Sequence, residues 1–159
     1  MTMAAHLDMF APKPHPLESI WDELPEDAKA DPDDLRYYQR DQLNAIMAAF
    51  KAGAKSQLMV SATGSGKTRT FGTVAKHWEG PVLVLSHNGE LIDQAVKALE
   101  RITGEYVEIE KAEWTSSPRT RLVVGSVQSF NKARLERLGK HRFSLVIVDE
   151  AHHFLAKTW

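Results

Sequence analysis

The sequence predicts an α/β fold, a parallel sheet with helices on both faces. Two apolar runs, residues 81–86 and 143–149, lack polar alternation and read as strands buried on both sides. Segments with helical periodicity alternate with these runs and with shorter β-like ones. Glycine and polar clusters fall where strands end, the edge at which ligands collect in such sheets.

Taken in order, residues 1–34 read as an acidic leader, largely flexible. Pro12, Pro14, Pro16, Pro25 and Pro32 interrupt every helical pattern there, and Trp21 is the anchor of at most one short helix. Leu43, Ile46, Met47 and Phe50 then share one helix face, and Gly53 stops that helix. Residues 57–61 are short, apolar and β-like. Residues 62–68 form a glycine-rich turn, and a helix follows to about His77. After the strand at 81–86, Asn88 caps a helix whose inner face is Leu91, Ile92, Ala95, Leu99 and Ile102. Residues 106–109 read as a strand, 112–119 as a loop and 122–125 as a strand. Ser126 is expected to cap a helix to about Leu138. The apolar run at 143–149 closes the series and ends in two acids.

Composition narrows the function classes. The chain has 159 residues, 43% hydrophobic and 26% charged, the size and balance of one globular domain. It contains no cysteine, which excludes disulfides, thiolate zinc ligation and a cysteine nucleophile. No uncharged apolar run approaches the ~18 residues of a membrane span, and residues 1–16 lack the pattern of a secretory signal. The expectation is a cytoplasmic protein with no membrane partner. The net charge of −1 hides an asymmetry: residues 1–35 carry nine acidic and two basic groups, the remainder twelve acidic and eighteen basic. A basic body behind an acidic leader fits a nucleic-acid partner, although charge alone favours a solvated surface. Lys132, Arg134, Arg137, Lys140 and Arg142 are expected to form a solvated helix face, and Trp78, Trp114 and Trp159 to be packing residues.

Two clusters carry chemistry. In Ser61-Ala-Thr-Gly-Ser-Gly-Lys-Thr68, Gly64 and Gly66 let the backbone curl so that N–H groups around Thr63 and Ser65 face a phosphate. The following helix adds positive potential. Lys67 reaches the β- and γ-phosphates and the Thr68 hydroxyl takes a place on Mg²⁺. Serine stands at position 61, where the textual phosphate-loop pattern has glycine. The second cluster is Asp149-Glu150-Ala151-His152. A carboxylate fixed at a strand tip holds Mg²⁺ through water, and its neighbour orients or deprotonates the attacking water. Asp149 is assigned to the metal and Glu150 to the water. His152 and His153 are poor joint metal ligands, and zinc is not expected.

With these segments in place, residues 35–159 resemble the first, RecA-like P-loop motor domain of a superfamily 2 helicase or translocase with a DEAH-type box. Leu35-Arg-Tyr-Tyr-Gln39 resembles an adenine-reading Q-type motif, residues 62–68 motif I, and Asp149-Glu-Ala-His152 motif II. Residues 82–87 with 90–95 resemble motif Ia and its helix, and 125–129 the Ib region. The nearest group is that of type III restriction subunits and bacterial DNA-repair helicases. The resemblance implies ATP and Mg²⁺ as cofactors, Gln39 on the adenine edge, and His152 coupling nucleotide state to nucleic acid or to a second motor domain. It also implies backbone contacts with nucleic acid, DNA ahead of RNA, around His87, Asn88 and Gln128. Family members often carry arginine where Asn88 or Gly89 stands, which weakens a phosphate contact there.

The resemblance also implies a threonine-bearing motif III and a second RecA-like domain whose arginines complete the ATP site. Neither is in the sequence. An arginine finger is worth about 10³–10⁵ in rate, so weak hydrolysis is expected of this chain without a second domain or partner chain. In RecA-like sheets the strand after motif II lies between the phosphate-loop strand and the motif II strand. Residues 59–61 and 145–148 are therefore not expected to pair directly, and the chain is expected to be an incomplete portion of the domain. Two other classes stay open: a non-catalytic nucleotide or nucleic-acid binding module or assembly subunit, and a small P-loop kinase, for which the sequence offers neither lid nor acceptor site.

Overall fold

The structure, a computed structural model, describes residues 33–87, 89–139 and 142–151. Its elements in chain order are α1 (Tyr37–Lys51), α2 (Lys67–His77), β1 (Val82–Ser86), α3 (Gly89–Thr103), β2 (Val107–Glu110), β3 (Leu122–Ser126), a 3-10 turn (Val127–Ser129), α4 (Lys132–Leu138) and β4 (Leu145–Val148). The strands pair in the order β2-β3-β1-β4, every pair parallel. Val84 lies opposite both Val124 and Ile147, so the carboxyl ends of the central strands come out side by side.

The two faces of the sheet bury separate cores. Val82, Val84, Leu122 and Val124 point to one side, where Met47 of α1, Phe71 and Ala75 of α2, and Ile92, Ala95 and Leu99 of α3 cover them. Leu83, Leu85 and Val123 point to the other, under Leu138 of α4 and Phe143. Each such Val, Leu, Ile, Met or Phe side chain contributes roughly 1.5–3 kcal/mol by leaving water. The α/β fold with helices on both faces is thus the observed one, and no helix among the described residues is long and apolar enough to cross a membrane.

Four local expectations change. Residues 57–61 form no strand. Leu58 and Val60 are 76% and 82% exposed. An apolar stretch becomes a strand only when a neighbour takes its backbone groups, and among the described residues β4 pairs with β1 alone. Direct pairing of residues 59–61 with 145–148 is thus absent, as expected. Ser126 caps no helix: it is the buried last residue of β3. The chain makes one 3-10 turn, Phe130 folds its ring against Gly125, and α4 starts afresh with Asn131, whose side chain accepts from the Arg134 N–H at 3.0 Å. The 106–109 strand is displaced by one residue, with Tyr106 exposed and Glu110 buried at its end. Finally β4, expected to be buried on both faces, is half-buried along its whole length.

The basic run is only partly a solvated face: Lys132 is exposed, but three arginines turn to partners within the protein. Arg134 and Arg137 reach the buried Glu110 carboxylate at 3.1 and 2.6 Å. Arg142 donates to the Thr120 carbonyl and lies 4.8 Å over the Phe143 ring. Burial opposes ionisation of Glu110, but the Ser116 N–H, Arg137 and the Ser116 hydroxyl outweigh it and hold the carboxyl below its usual range. Asp33, counted by composition with the leader, is buried too. It accepts from Lys76 at 2.5 Å and meets His77 at 2.6 Å, at the far end of α2. Residues 1–32, the rest of the leader with Trp21, lie outside the described residues, as do Lys140, His153 and Trp159.

Candidate functional site

The phosphate-loop sequence folds as a turn that opens directly into α2. Gly64 and Gly66 have φ of 77° and 83°, the left-handed region that side chains avoid. Gly66 is also the residue before α2, and its carbonyl accepts the first helical bonds, from Arg69 at 2.8 Å and Thr70 at 3.2 Å. A Cβ at Gly66 would run into the Gln39 amide, so glycine is required there twice over. Thr63 is exposed, while Ser65, Lys67 and Thr68 are half-buried.

Among the described residues no strand holds this loop from the amino side; α1 does. Gln39, 4% exposed, donates to the carbonyls of Ser65 and Gly66 at 3.0 and 3.4 Å, and its oxygen accepts from the Arg36 N–H at 3.0 Å. Tyr38 donates its hydroxyl to the Ser65 carbonyl at 3.0 Å. Gln42 donates to the Ser61 hydroxyl at 3.1 Å, which in turn lies 2.6 Å from the Ser65 hydroxyl. The serine at position 61, the departure from the glycine pattern, is thus built into the loop's own network. Gln39 meets the loop with its amide engaged at both ends. Sequence reasoning missed Tyr38 and Gln42 as supports. Gln42 follows Gln39 by three residues on one helix face, and that spacing was the available signal.

The acid pair stands opposite. The Asp149 N–H bonds the Leu85 carbonyl at 2.9 Å, extending the β4 ladder by one residue. Its carboxylate then accepts from the Glu150 N–H at 3.0 Å, and Glu150 turns the chain with φ of 52°. This turn brings the Glu150 carboxylate to 3.9 Å from the Lys67 ammonium. Thr68 and Asp149 both line a cleft of about 320 Å³ that Gly66, Leu91 and Gln94 also border. Burial pushes the Asp149 carboxyl up and the neighbouring Glu150 charge adds to this; the Glu150 N–H and Lys67 offset only part.

Asp149 and Thr68 are hard oxygen donors on one cleft, which suits a magnesium ion that keeps most of its shell as water and phosphate oxygens. A cation there would relieve both causes that raise the Asp149 carboxyl. Among the described residues no group of three or more His, Asp or Glu side chains forms a separate metal site. His87 and Gln128 are exposed beyond β1 and β3, at the carboxyl edge of the sheet. Asn88 and His152 lie outside the described residues.

Comparison with known proteins places this arrangement in a family. The family model described as type III restriction enzyme, res subunit, matches residues 33–159, and the chain belongs to that family. It is 33% identical over 132 residues to a protein of Schizosaccharomyces pombe named as a mitochondrial ATP-dependent helicase, irc3, a match that covers 79% of this chain and 22% of the relative. It is 33% identical over 133 residues to the type I restriction enzyme EcoKI endonuclease subunit of Escherichia coli, covering 74% of this chain and 11% of that protein. Over 52 residues it is 49% identical to UvrABC system protein B of Latilactobacillus sakei, 33% of this chain and 8% of that one. The chain therefore spans about a fifth or less of the length of these relatives.

Proposed function

We propose that the chain is the ATP-binding first motor domain of a DEAH-type helicase or translocase that hydrolyses ATP in response to nucleic acid, DNA ahead of RNA. The observation that carries this is the approach of Lys67 to within 3.9 Å of Glu150, beside the cleft that Thr68 and Asp149 line. Membership of a family with helicase-named relatives supports it.

In this mechanism the turn at Gly64, Ser65 and Gly66 and the start of α2 take the phosphates through backbone N–H groups. Lys67 neutralises the β- and γ-oxygens, and Gln39, its amide engaged at both ends, holds the turn in shape; reading adenine would need that amide to exchange one of these bonds. Thr68 and Asp149 would hold Mg²⁺, which supplies charge neutralisation at the transferring phosphoryl group. Glu150 sits 3.9 Å from Lys67 and follows Asp149 directly at the tip of β4. Water attacks the γ-phosphorus, the bond to the β–γ bridging oxygen breaks, and Glu150 receives the water's proton. Arginines from a second RecA-like domain or partner chain would raise the rate by about 10³–10⁵.

The test is Lys67→Ala. Binding of a fluorescent ATP analogue is expected to weaken by about 10–100-fold, the loss of one or two charge-assisted hydrogen bonds. Unchanged binding overturns the assignment of the phosphate loop. DNA-stimulated phosphate release from the wild-type chain, abolished by Glu150→Gln, separates the motor from a non-catalytic binding module.

A further inference from the structure

Two tryptophans of the described region have opposite environments. Trp78 is 5% exposed and donates its indole N–H to Ser144 at 2.9 Å. Trp114, expected from the sequence to pack likewise, is 64% exposed. An indole offers a large apolar surface, and leaving it in water forfeits the gain that normally draws it inward.

The mount of Trp114 is firm. It closes a four-residue turn that leaves the carboxyl end of β2: Lys111 and Trp114 exchange backbone hydrogen bonds at 3.0 and 2.8 Å. The Ala112 N–H donates to the Ser129 hydroxyl at 3.1 Å, and the Arg134 guanidinium holds the Ala112 carbonyl. Ala112 itself adopts φ of 48°, a conformation that costs a non-glycine residue about 1 kcal/mol and persists here because these bonds fix it. Ser129 follows Gln128 in the turn after β3, and Lys111 extends its ammonium to the start of α3, where a side chain at Gly89 would come within 2.6 Å of it. The exposed indole therefore stands on the same sheet edge as Gln128 and His87. Lys111 adjoins it in the same turn, as does Glu113.

We propose that Trp114 is a stacking platform for one unpaired base of a single-stranded nucleic acid whose phosphates run along this carboxyl edge past Lys111. The inference rests on the nucleic-acid reading of the proposed function and adds to it a residue that touches bases. An aromatic face accepts any base, so the contact gives affinity without sequence choice. A pre-set indole also loses little entropy on binding. An exposed ring next to the Lys111 ammonium, on the edge that carries Gln128 and His87, suits a polyanion that bears bases better than an apolar protein partner.

The experiment measures anisotropy of a labelled oligothymidylate and of an abasic oligonucleotide of equal length, with the whole chain as wild type, Trp114→Ala, Trp114→Phe and Lys111→Ala. Trp114→Ala is expected to weaken the base-bearing strand by about tenfold and to leave the abasic strand unchanged. Trp114→Phe restores most of the loss. Lys111→Ala weakens both strands and lowers the slope of log affinity against log salt by about one, which Trp114→Ala does not. If the wild type binds the oligonucleotide and Trp114→Ala binds it equally well, or loses both strands alike, the stacking role is overturned while the nucleic-acid reading stands. If the wild type binds neither strand at low salt, the nucleic-acid reading itself fails, and the exposed indole is then a protein contact.

Discussion

Along β3 every residue from Leu122 to Ser126 is buried, whereas all four residues of β4 are half-buried and residues 57–61 beyond it are unpaired. The β2–β3 flank is closed by strand ladders and by the Glu110 carboxylate locked between Arg134, Arg137 and Ser116. The β4 flank carries Lys67, Thr68, Asp149 and Glu150, and its loop is held by the side chains of Tyr38, Gln39 and Gln42. Rigidity and chemistry are therefore divided. The well-packed half supplies stability, and the half that binds a ligand depends on polar contacts, each with a net worth near 1 kcal/mol. Local opening concentrates in segments with few buried apolar contacts and unpaired backbone, and here those segments adjoin the candidate nucleotide site.

The largest expected effect is on the rigid flank. Glu110→Ala leaves Arg134 and Arg137 facing a cavity with no counter-charge, and removing one member of a buried ion cluster costs about 3–5 kcal/mol. Urea unfolding should show that loss as a lower midpoint. A loss below about 1 kcal/mol would mean that the cluster is hydrated in solution and the contrast between the flanks is smaller than the structure indicates.

How much of this the sequence disclosed depends on which interaction sets each element. The runs at β1 and β3 and the face of α3 follow from periodicity and burial alone, and they stand within a residue of the expected positions. The phosphate loop and the acid pair were legible because glycine conformation and strand ends are local properties, and the structure brings Lys67 within 3.9 Å of Glu150. What was not legible depends on partners far along the chain. Residues 57–61 have the composition of a strand but, among the described residues, no neighbour to pair with. Glu110 ends a strand inside the protein only because Arg137 arrives from α4, 27 residues on. Trp114 is exposed because a turn anchored through Ser129 and Arg134 carries it outward. Ser126 loses its cap because Phe130 packs on Gly125 first.

A second, smaller effect tests how the site-side flank is secured at its base. Asp33 ties Lys76 and His77 at the end of α2 opposite the phosphate loop. Burial alone would raise its carboxyl, but the hydrogen bonds from Lys76 and His77 and their charges outweigh it and hold the carboxyl below the ordinary 3.8. A carboxyl depressed in the folded state contributes stability that is present above its unfolded value and disappears as pH falls through its folded one. Asp33→Asn should therefore cost about 2 kcal/mol at neutral pH. The gap in Tm between wild type and variant should stay constant above about pH 5 and close as the pH drops through the acid range. A gap independent of pH down to acid unfolding would show that Asp33 acts through shape and not charge.

The smallest expected effect is the sharpest probe of the open flank. Val60 is 82% exposed and makes no strand pair, so Val60→Thr, which keeps the β-branch and replaces a methyl by a hydroxyl, should change stability by less than about 0.5 kcal/mol. At Val123, fully buried in β3, the same substitution places a hydroxyl in an apolar core and should cost about 1–3 kcal/mol. Amide hydrogen exchange gives the matching backbone measure, with residues 57–61 exchanging near the unprotected rate and residues 122–126 only through global unfolding. Were Val60→Thr to cost as much as Val123→Thr, residues 57–61 would be buried in solution. The sheet would then have found a partner for its β4 side, and the division between a packed flank and a reactive one would be a property of the isolated chain alone.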